Sequence, residues 1–430
     1  MARAGALVLL SVPVLLAFLF VRAFGVNSLF ADQWMIAGNI ERVVNGSFSL
    51  SEIWASHHEH VIVFPRLVMI ALGFLTNYDV RFEMYVVAAS LAATMLVYFL
   101  AFRRDFTGSI WFFAPVAFLA MSLRQHGNML WGFQITLVFA LLFSVLTFFL
   151  LDRLRRDDVS ESRAFPLAIL AAFVATFSSA PGLLAWPIGF VHLLLIRAKK
   201  KLVLAWGGFG AAVWTVYFGI LVEGAGGNSP FESLARPLAS ADFFVTLLGG
   251  AMFGERSLAH GAGIVIAALV AVGFSLVLLR GSFWEDAFWM SVIFFSLFSL
   301  AFVTAGRLDS GVEQALLSRY ATFSIPATVG AYILLAKAVF AAGRSSAAFA
   351  AFGVIFVFII ASLPFAYLDG IRGGEHIRAG REEAVAVLSE YEERTDAEIE
   401  AAHGWEGISD RAAALDRLGY GIFAEGSGAR

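Results

Sequence analysis

Four short polar clusters interrupt an otherwise apolar chain, and their residue types are those of catalysis and anion binding. Phe30-Ala31-Asp32-Gln33-Trp34 sets one carboxylate beside an indole shortly after the first apolar run. That pair suits a general base next to a ring on which a sugar stacks. It equally suits a helix N-cap followed by an interfacial tryptophan. His57-His58-Glu59-His60 leads into Val63-Phe64-Pro65-Arg66. His57 and His60 at i and i+3 could share a helix face and hold a divalent metal. Adjacent histidines are badly spaced for that purpose on a helix. The same stretch reads as an exposed loop, or as a grip on an acceptor or a lipid phosphate. Arg124-Gln125-His126-Gly127-Asn128 and Trp131-Gly132-Phe133-Gln134 carry more hydrogen-bonding groups than a turn between two apolar spans needs. Gly306-Arg307-Leu308-Asp309 and Ser318-Arg319-Tyr320 place guanidinium forks where a helix enters its apolar run. Such forks match phosphate oxygens, or else snorkel to lipid headgroups.

The elements that position these clusters are membrane helices. Of 430 residues, 60% are hydrophobic and only 15% charged, with 44 phenylalanines; a water-soluble chain is nearer half apolar and a quarter charged. Mean hydropathy is +0.80. The net charge of −3 gives no reason to expect nucleic acid as a partner. Cysteine is absent, which excludes disulfides, thiolate metal sites and cysteine nucleophiles. The apolar run Gly5–Phe20 follows Arg3 and lacks a clean cleavage site, so it reads as an uncleaved first helix.

A span needs roughly 20 apolar residues, and on that rule about eleven are expected. They lie near Gly5–Phe24, Phe82–Phe102, Phe106–Leu123, Met129–Leu151, Ala164–Ala180 and Gly182–Ile196. The others lie near Leu202–Val222, Gly261–Leu279, Ala287–Thr304, Tyr320–Phe340 and Ala347–Tyr367. Basic clusters at Arg103-Arg104, Arg153 to Arg156 and Arg197 to Lys201 belong in the cytoplasm. That orientation requires Val61–Leu75, which is short and contains Pro65 and Arg66, to lie along the outer interface. The outer loop then runs over 25–81. Ala241–Phe253 is likewise too short to cross and reads as interfacial or re-entrant. The expected fold is an all-α integral membrane protein: a transmembrane domain over 1–368, then an extracytoplasmic helical tail over 369–430. Within the tail, Arg381–Ala402 is rich in Glu and Ala and reads as a solvent-exposed helix.

In their order and on their shared membrane face, these clusters resemble the GT-C-fold glycosyltransferases of the prokaryotic, polyprenyl-phosphate-sugar-dependent kind. The resemblance covers the membrane part and rests on Asp32, His57 to His60 with Phe64-Pro65-Arg66, Asn128 to Gln134, Gly306-Arg307 and Ser318-Arg319-Tyr320. Relatives often pair two acidic residues where this chain has Asp32-Gln33, which leaves Asp32 the one carboxylate of its cluster. They also often have Asn then Arg where this chain has His58 and Val61.

The resemblance implies an inverting hexosyl- or pentosyltransferase at the outer face of a bacterial cytoplasmic membrane. Its donor is a polyprenyl-phosphate-linked sugar and its acceptor a glycan, lipid or protein. Asp32 would be the base, with Glu59 assisting. Arg319, Tyr320, Arg66 and Arg124 would bind the donor phosphate, and Trp34, His57, His60, Trp131 and Gln134 the acceptor or sugar. No particular cofactor is implied, and a divalent metal on Asp32, His57 and His60 is the alternative. A flippase for a lipid-linked saccharide, a lipid-linked glycan polymerase or ligase, and a non-catalytic subunit are the rival expectations. A flippase would line a midplane path with charge, whereas this chain keeps its charge near one surface.

Overall fold

A computed structural model describes residues 2–58, 60–106, 108–156, 161–222, 235–341 and 346–424. Among the described residues the chain is all-α apart from one two-residue-per-strand hairpin, and eight of the helices are long and apolar enough to cross a membrane. Helix α1 is Ala2–Phe24. The segment after it forms α2 (Gln33–Val44), α3 (Ser51–Trp54), the hairpin β1–β2 (Ser56–His57 and His60–Val61) and α4 (Val63–Leu75). Then follow α5 (Arg81–Asp105), α6 (Ala114–Ala120), α7 (His126–Met129), α8 (Ile135–Asp152), α9 (Glu161–Thr176), α10 (Ala185–Leu195) and α11 (Lys200–Val216). The second half is α12 (Pro237–Gly249), α13 (Arg256–Arg280), α14 (Phe283–Arg307), α15 (Ala321–Ala341), α16 (Ser346–Ser389), α17 (Asp396–His403) and α18 (Ile408–Leu418).

Side chains sort the bundle into two ends. At one end Arg104 bonds Asp152 at 2.7 Å and Asp105 at 2.8 Å, while Arg155 reaches Asp152 at 3.3 Å and the Trp284 carbonyl at 2.7 Å. Lys337 pairs with Asp286 at the same end, so buried charge is balanced across α5, α8, α14 and α15. This is the end that carries the basic clusters. At the other end the long connections meet. Phe64 N–H donates to the Phe177 carbonyl at 3.2 Å, Tyr217 Oη sits 3.2 Å from Val61 N, and Gly127 N–H donates to Ser318 Oγ at 3.0 Å.

Two short apolar stretches stay at that loop end, as their length demands. Helix α4 packs on α2, with Gly73 so close to Ile40 that an added Cβ would sit 2.4 Å from its Cδ1. Helix α12 begins beside Asp309, which Arg236 contacts, and is followed by Gly254 against Asp369. Both of its flanks therefore lie at one end.

The tail is not a detached appendage. With 44 residues, α16 is about 66 Å long, twice the ~30 Å hydrocarbon core, so its last turns stand clear of a bilayer. It runs through position 368 without a break. A capping box on Thr395 and Glu398 starts α17, and Gly404 at φ +66° ends it. Helix α18 then packs back on α2, where Arg411 Nη1 donates to the Trp34 carbonyl at 2.8 Å.

Candidate functional site

The site begins with a strained turn. Ala31 has φ +46°, a left-handed conformation costly for a residue with a Cβ. Surrounding bonds hold it there. Ala31 N–H donates to the His403 carbonyl at 2.8 Å, and Phe30 N–H donates to Gln33 Oε1 at 3.2 Å. Gln33 Nε2 in turn donates to Glu83 Oε2 at 2.6 Å, and the Tyr78 hydroxyl donates to the Gln33 carbonyl at 2.9 Å. Gly132 closes the group, since a Cβ there would lie 2.2 Å from Glu83 Oε2.

This turn aims Asp32. It occupies the N-cap position of α2, yet its side chain makes no capping bond. Its Oδ1 lies instead 3.0 Å from His57 Nε2, with 23% of the Asp32 side chain and 11% of the His57 side chain exposed. The N-cap alternative is thus not taken, and the carboxylate faces the hairpin.

The hairpin explains how neighbouring histidines can act together. His57 pairs with His60 across β1–β2, and His58 has φ +51°. That left-handed residue turns two adjacent rings towards each other, with centroids 4.6 Å apart. Ligand atoms of Asp32, His57 and His58 all lie within 4.8 Å of one another. One carboxylate and two imidazoles form a donor set that suits zinc and other borderline divalent ions. The expected set has His60 where the structure groups His58: His60 Nδ1 accepts from Ala180 N–H at 3.4 Å instead. Glu59 lies outside the described residues.

An aromatic wall stands beside Asp32. Trp131 packs edge-on to Phe30 at 5.5 Å and donates its indole N–H to the Phe30 carbonyl at 3.3 Å. Phe133 lies against Trp131 at 6.1 Å and against His57 at 5.4 Å. Trp405, from the tail, lies nearly parallel to the His57 ring at 6.4 Å. Trp34 does not join this wall. It is fully buried, with its ring edge-on to His403. Residues i and i+2 of a helix point apart, so an Asp32 that faces the hairpin sends Trp34 inward. Gln134 is buried as well, with 4% exposure.

The arginines divide. Arg66 is buried and spends Nη1 on the carbonyls of Glu52, Ile53 and Ala55. It therefore ties down the end of α3 and is not presented to a phosphate; burial pushes its pKa down to about 10. Arg124 donates to the Leu316 carbonyl at 2.5 Å and sits 3.4 Å from Asp369, so its charge is already balanced. Arg319 differs. It lies over the Tyr320 ring at 5.1 Å and bonds that hydroxyl at 3.3 Å, with no carboxylate in ion-pair range among the described residues. Asn128 links it to the aromatic wall by donating to the Arg319 carbonyl at 2.8 Å and to Thr322 Oγ1 at 2.6 Å. The segment 126–134 thus touches Asp32's turn with one end and Arg319's with the other.

Sequence reasoning missed Glu83, Trp405 and His403. Glu83 looks like an ordinary first-turn acid of a helix, and the tail residues stand some 370 positions from Asp32 with no local signal. No protein-family model matches this chain, and no curated protein or solved structure does either.

Proposed function

We propose that this chain is a membrane glycosyltransferase of the GT-C kind, moving one sugar from a polyprenyl-phosphate donor to an acceptor at the outer face of a bacterial cytoplasmic membrane. The observation that carries the reading is the Asp32 carboxylate, released from helix capping, bonded to His57 at 3.0 Å and walled by aromatic rings. In this reading the chain crosses the bilayer about eleven times, because shorter helices such as α9 and α10 add to the long ones. The loop end faces outward and the basic end inward.

Asp32 takes the proton of an acceptor hydroxyl while the acceptor oxygen forms its bond to the anomeric carbon. The bond from that carbon to the phosphate oxygen breaks, and polyprenyl phosphate leaves with the electron pair. A phosphate leaves readily, so no acid is needed opposite the base. Arg319 meets the charge that develops on it. The His57 ring, 3.0 Å away, orients the Asp32 carboxylate. Trp131, Phe133 and Trp405 offer apolar ring faces to the sugars. Asp32, His57 and His58 would hold a divalent cation, which would supply charge stabilisation in the site.

The test is sugar release by the purified protein in lipid nanodiscs, supplied with a panel of polyprenyl-phosphate sugars. Wild type is expected to liberate free polyprenyl phosphate from one donor, and Asp32→Asn is expected not to. Labelled donor crossing the bilayer intact would replace this reading with a flippase.

A further inference from the structure

The last turns of α16 carry an arginine that the reading above does not use. The guanidinium carbon of Arg381 lies 3.4 Å from the centroid of the Phe30 ring, and Phe30 is two residues from Asp32. Three other tail arginines meet carboxylates, and Arg411 donates to the Trp34 carbonyl. Arg378 bonds Glu382 at 2.7 Å, Arg394 bonds Glu390 at 2.6 Å, and Arg417 reaches Glu41 at 3.8 Å. Arg381 has no carboxylate in ion-pair range among the described residues. A phenyl face attracts a cation but accepts none of the five N–H bonds a guanidinium can donate. A half-buried fork left in that state is arranged for two oxygens of an oxyanion such as a carboxylate or a phosphate.

Its position is braced and its depth is set. The Ala384 carbonyl, one turn on from Arg381, lies 3.1 Å from His403 Nε2, and the Leu29 carbonyl lies 2.8 Å from Nδ1 of the same ring. The His403 carbonyl holds Ala31 N–H at 2.8 Å. The tail thus grips the chain on both sides of Phe30 and fixes Arg381 relative to Asp32. One turn back, Arg378 donates to the Ala23 carbonyl at 3.0 Å, at the end of α1. Arg381 therefore sits about one turn beyond the end of a spanning helix, which is where a lipid-borne phosphate rides.

We propose that Arg381 is an anion-binding residue of the site, which the tail closes, and that it takes a phosphate group of the substrate. The proposal rests on the glycosyltransferase reading for the place of the reacting sugar, but phosphate binding itself does not depend on that reading. Two sources share the chemistry: a polyprenyl-linked phosphate and a phosphate on a water-borne acceptor.

The experiment titrates full-length protein in zwitterionic nanodiscs with polyprenyl monophosphate, with the matching polyprenol and with inorganic phosphate, and counts bound ligand by native mass spectrometry. Arg381→Gln should weaken polyprenyl monophosphate at least tenfold and leave polyprenol unchanged, while Arg381→Lys should lose less. A loss confined to inorganic phosphate would keep the anion site and assign it to a water-borne substrate. Unchanged binding of both phosphates in Arg381→Gln would overturn the proposal. Should that variant not fold, Arg381→Lys binding both phosphates as wild type does would overturn it, because a lost fork must cost affinity. Sugar release is measured in parallel. A wild type that transfers nothing yet shows Arg381-dependent phosphate binding would sink the transferase reading and spare this one.

Discussion

If Asp32 and His57 form one catalytic unit, then removing either should leave little for the other to contribute. Their 3.0 Å contact joins a carboxylate to an imidazole N–H in a partly sheltered site. A charge-assisted bond of that kind is worth about 1.5–3 kcal/mol, or roughly 10- to 150-fold in rate if the reaction depends on it. Loss of the base itself should cost more, on the order of 10²–10⁴-fold. Asp32→Asn keeps shape and should therefore abolish most turnover while donor binding holds. His57→Phe should lower kcat by about 10- to 150-fold, with the donor KM unchanged. The double variant should be no slower than Asp32→Asn alone, because the bond is already gone. The assay is polyprenyl phosphate release in nanodiscs for all four proteins. Multiplying losses, with the double variant slower than Asp32→Asn by the full His57 factor, would refute the coupling and return His57 to an independent role.

Other expectations follow from the same contacts. Gly132→Ala forces a Cβ to 2.2 Å from Glu83 Oε2 and 3.1 Å from Gln33 Nε2, which should cost about 1–3 kcal/mol in thermal unfolding and slow turnover by loosening Asp32's turn. Trp34→Ala should behave as a core deletion, lowering stability by about 3–5 kcal/mol, whereas Trp131→Ala should raise the acceptor KM with a smaller stability loss. Burial, and then the nearby charge of Arg124, push the His126 pKa down to about 4. The unfolded chain then takes up this proton near pH 6.5 before the folded one does, so stability holds above 6.5 and falls between 6.5 and about 4, by at most ~3 kcal/mol. His126→Gln should flatten that part of the profile of thermal midpoint against pH.

The membrane character of the chain was legible because it is a property of composition, which no folding detail alters. Short elements were legible for a related reason: Val61–Leu75 and Ala241–Phe253 cannot reach across a bilayer, and α4 and α12 stay at one end. The number of spans was harder. The run read as Phe106–Leu123 is broken into a 3₁₀ turn, Ile110–Phe113, and the short α6 behind Pro115. Hydropathy sees apolar residues there but not the break. Asp32 and His57 stood out as polar residues in an apolar chain, yet Trp34 was misplaced, because adjacency in sequence is not adjacency on a helix. His58 was unreadable as His57's companion, since only its positive φ brings the rings together. Arg66 and Arg124 looked like Arg319 in sequence; what separates them is the carbonyls of α3 and the carboxylate of Asp369, neither visible locally.

The tail changes what the site is. A carboxylate on a loop between membrane helices would be held only by that loop, and loops are the mobile parts of a fold. Here Ala31's costly backbone angle persists because bonds from His403, Gln33 and Tyr78 over-determine it. His403 is fully buried and both of its ring nitrogens face carbonyls, one on Leu29 and one on Ala384. A neutral ring can donate to only one of them, so one contact lacks a proton unless the ring is charged, and burial opposes the charge. The site's geometry is thus tied to the least comfortable residue of the tail. That is the arrangement expected if tail and turn are assembled for function and not for stability alone, and under the proposed function it makes the tail a second place, beside the membrane part, where substitutions should change turnover.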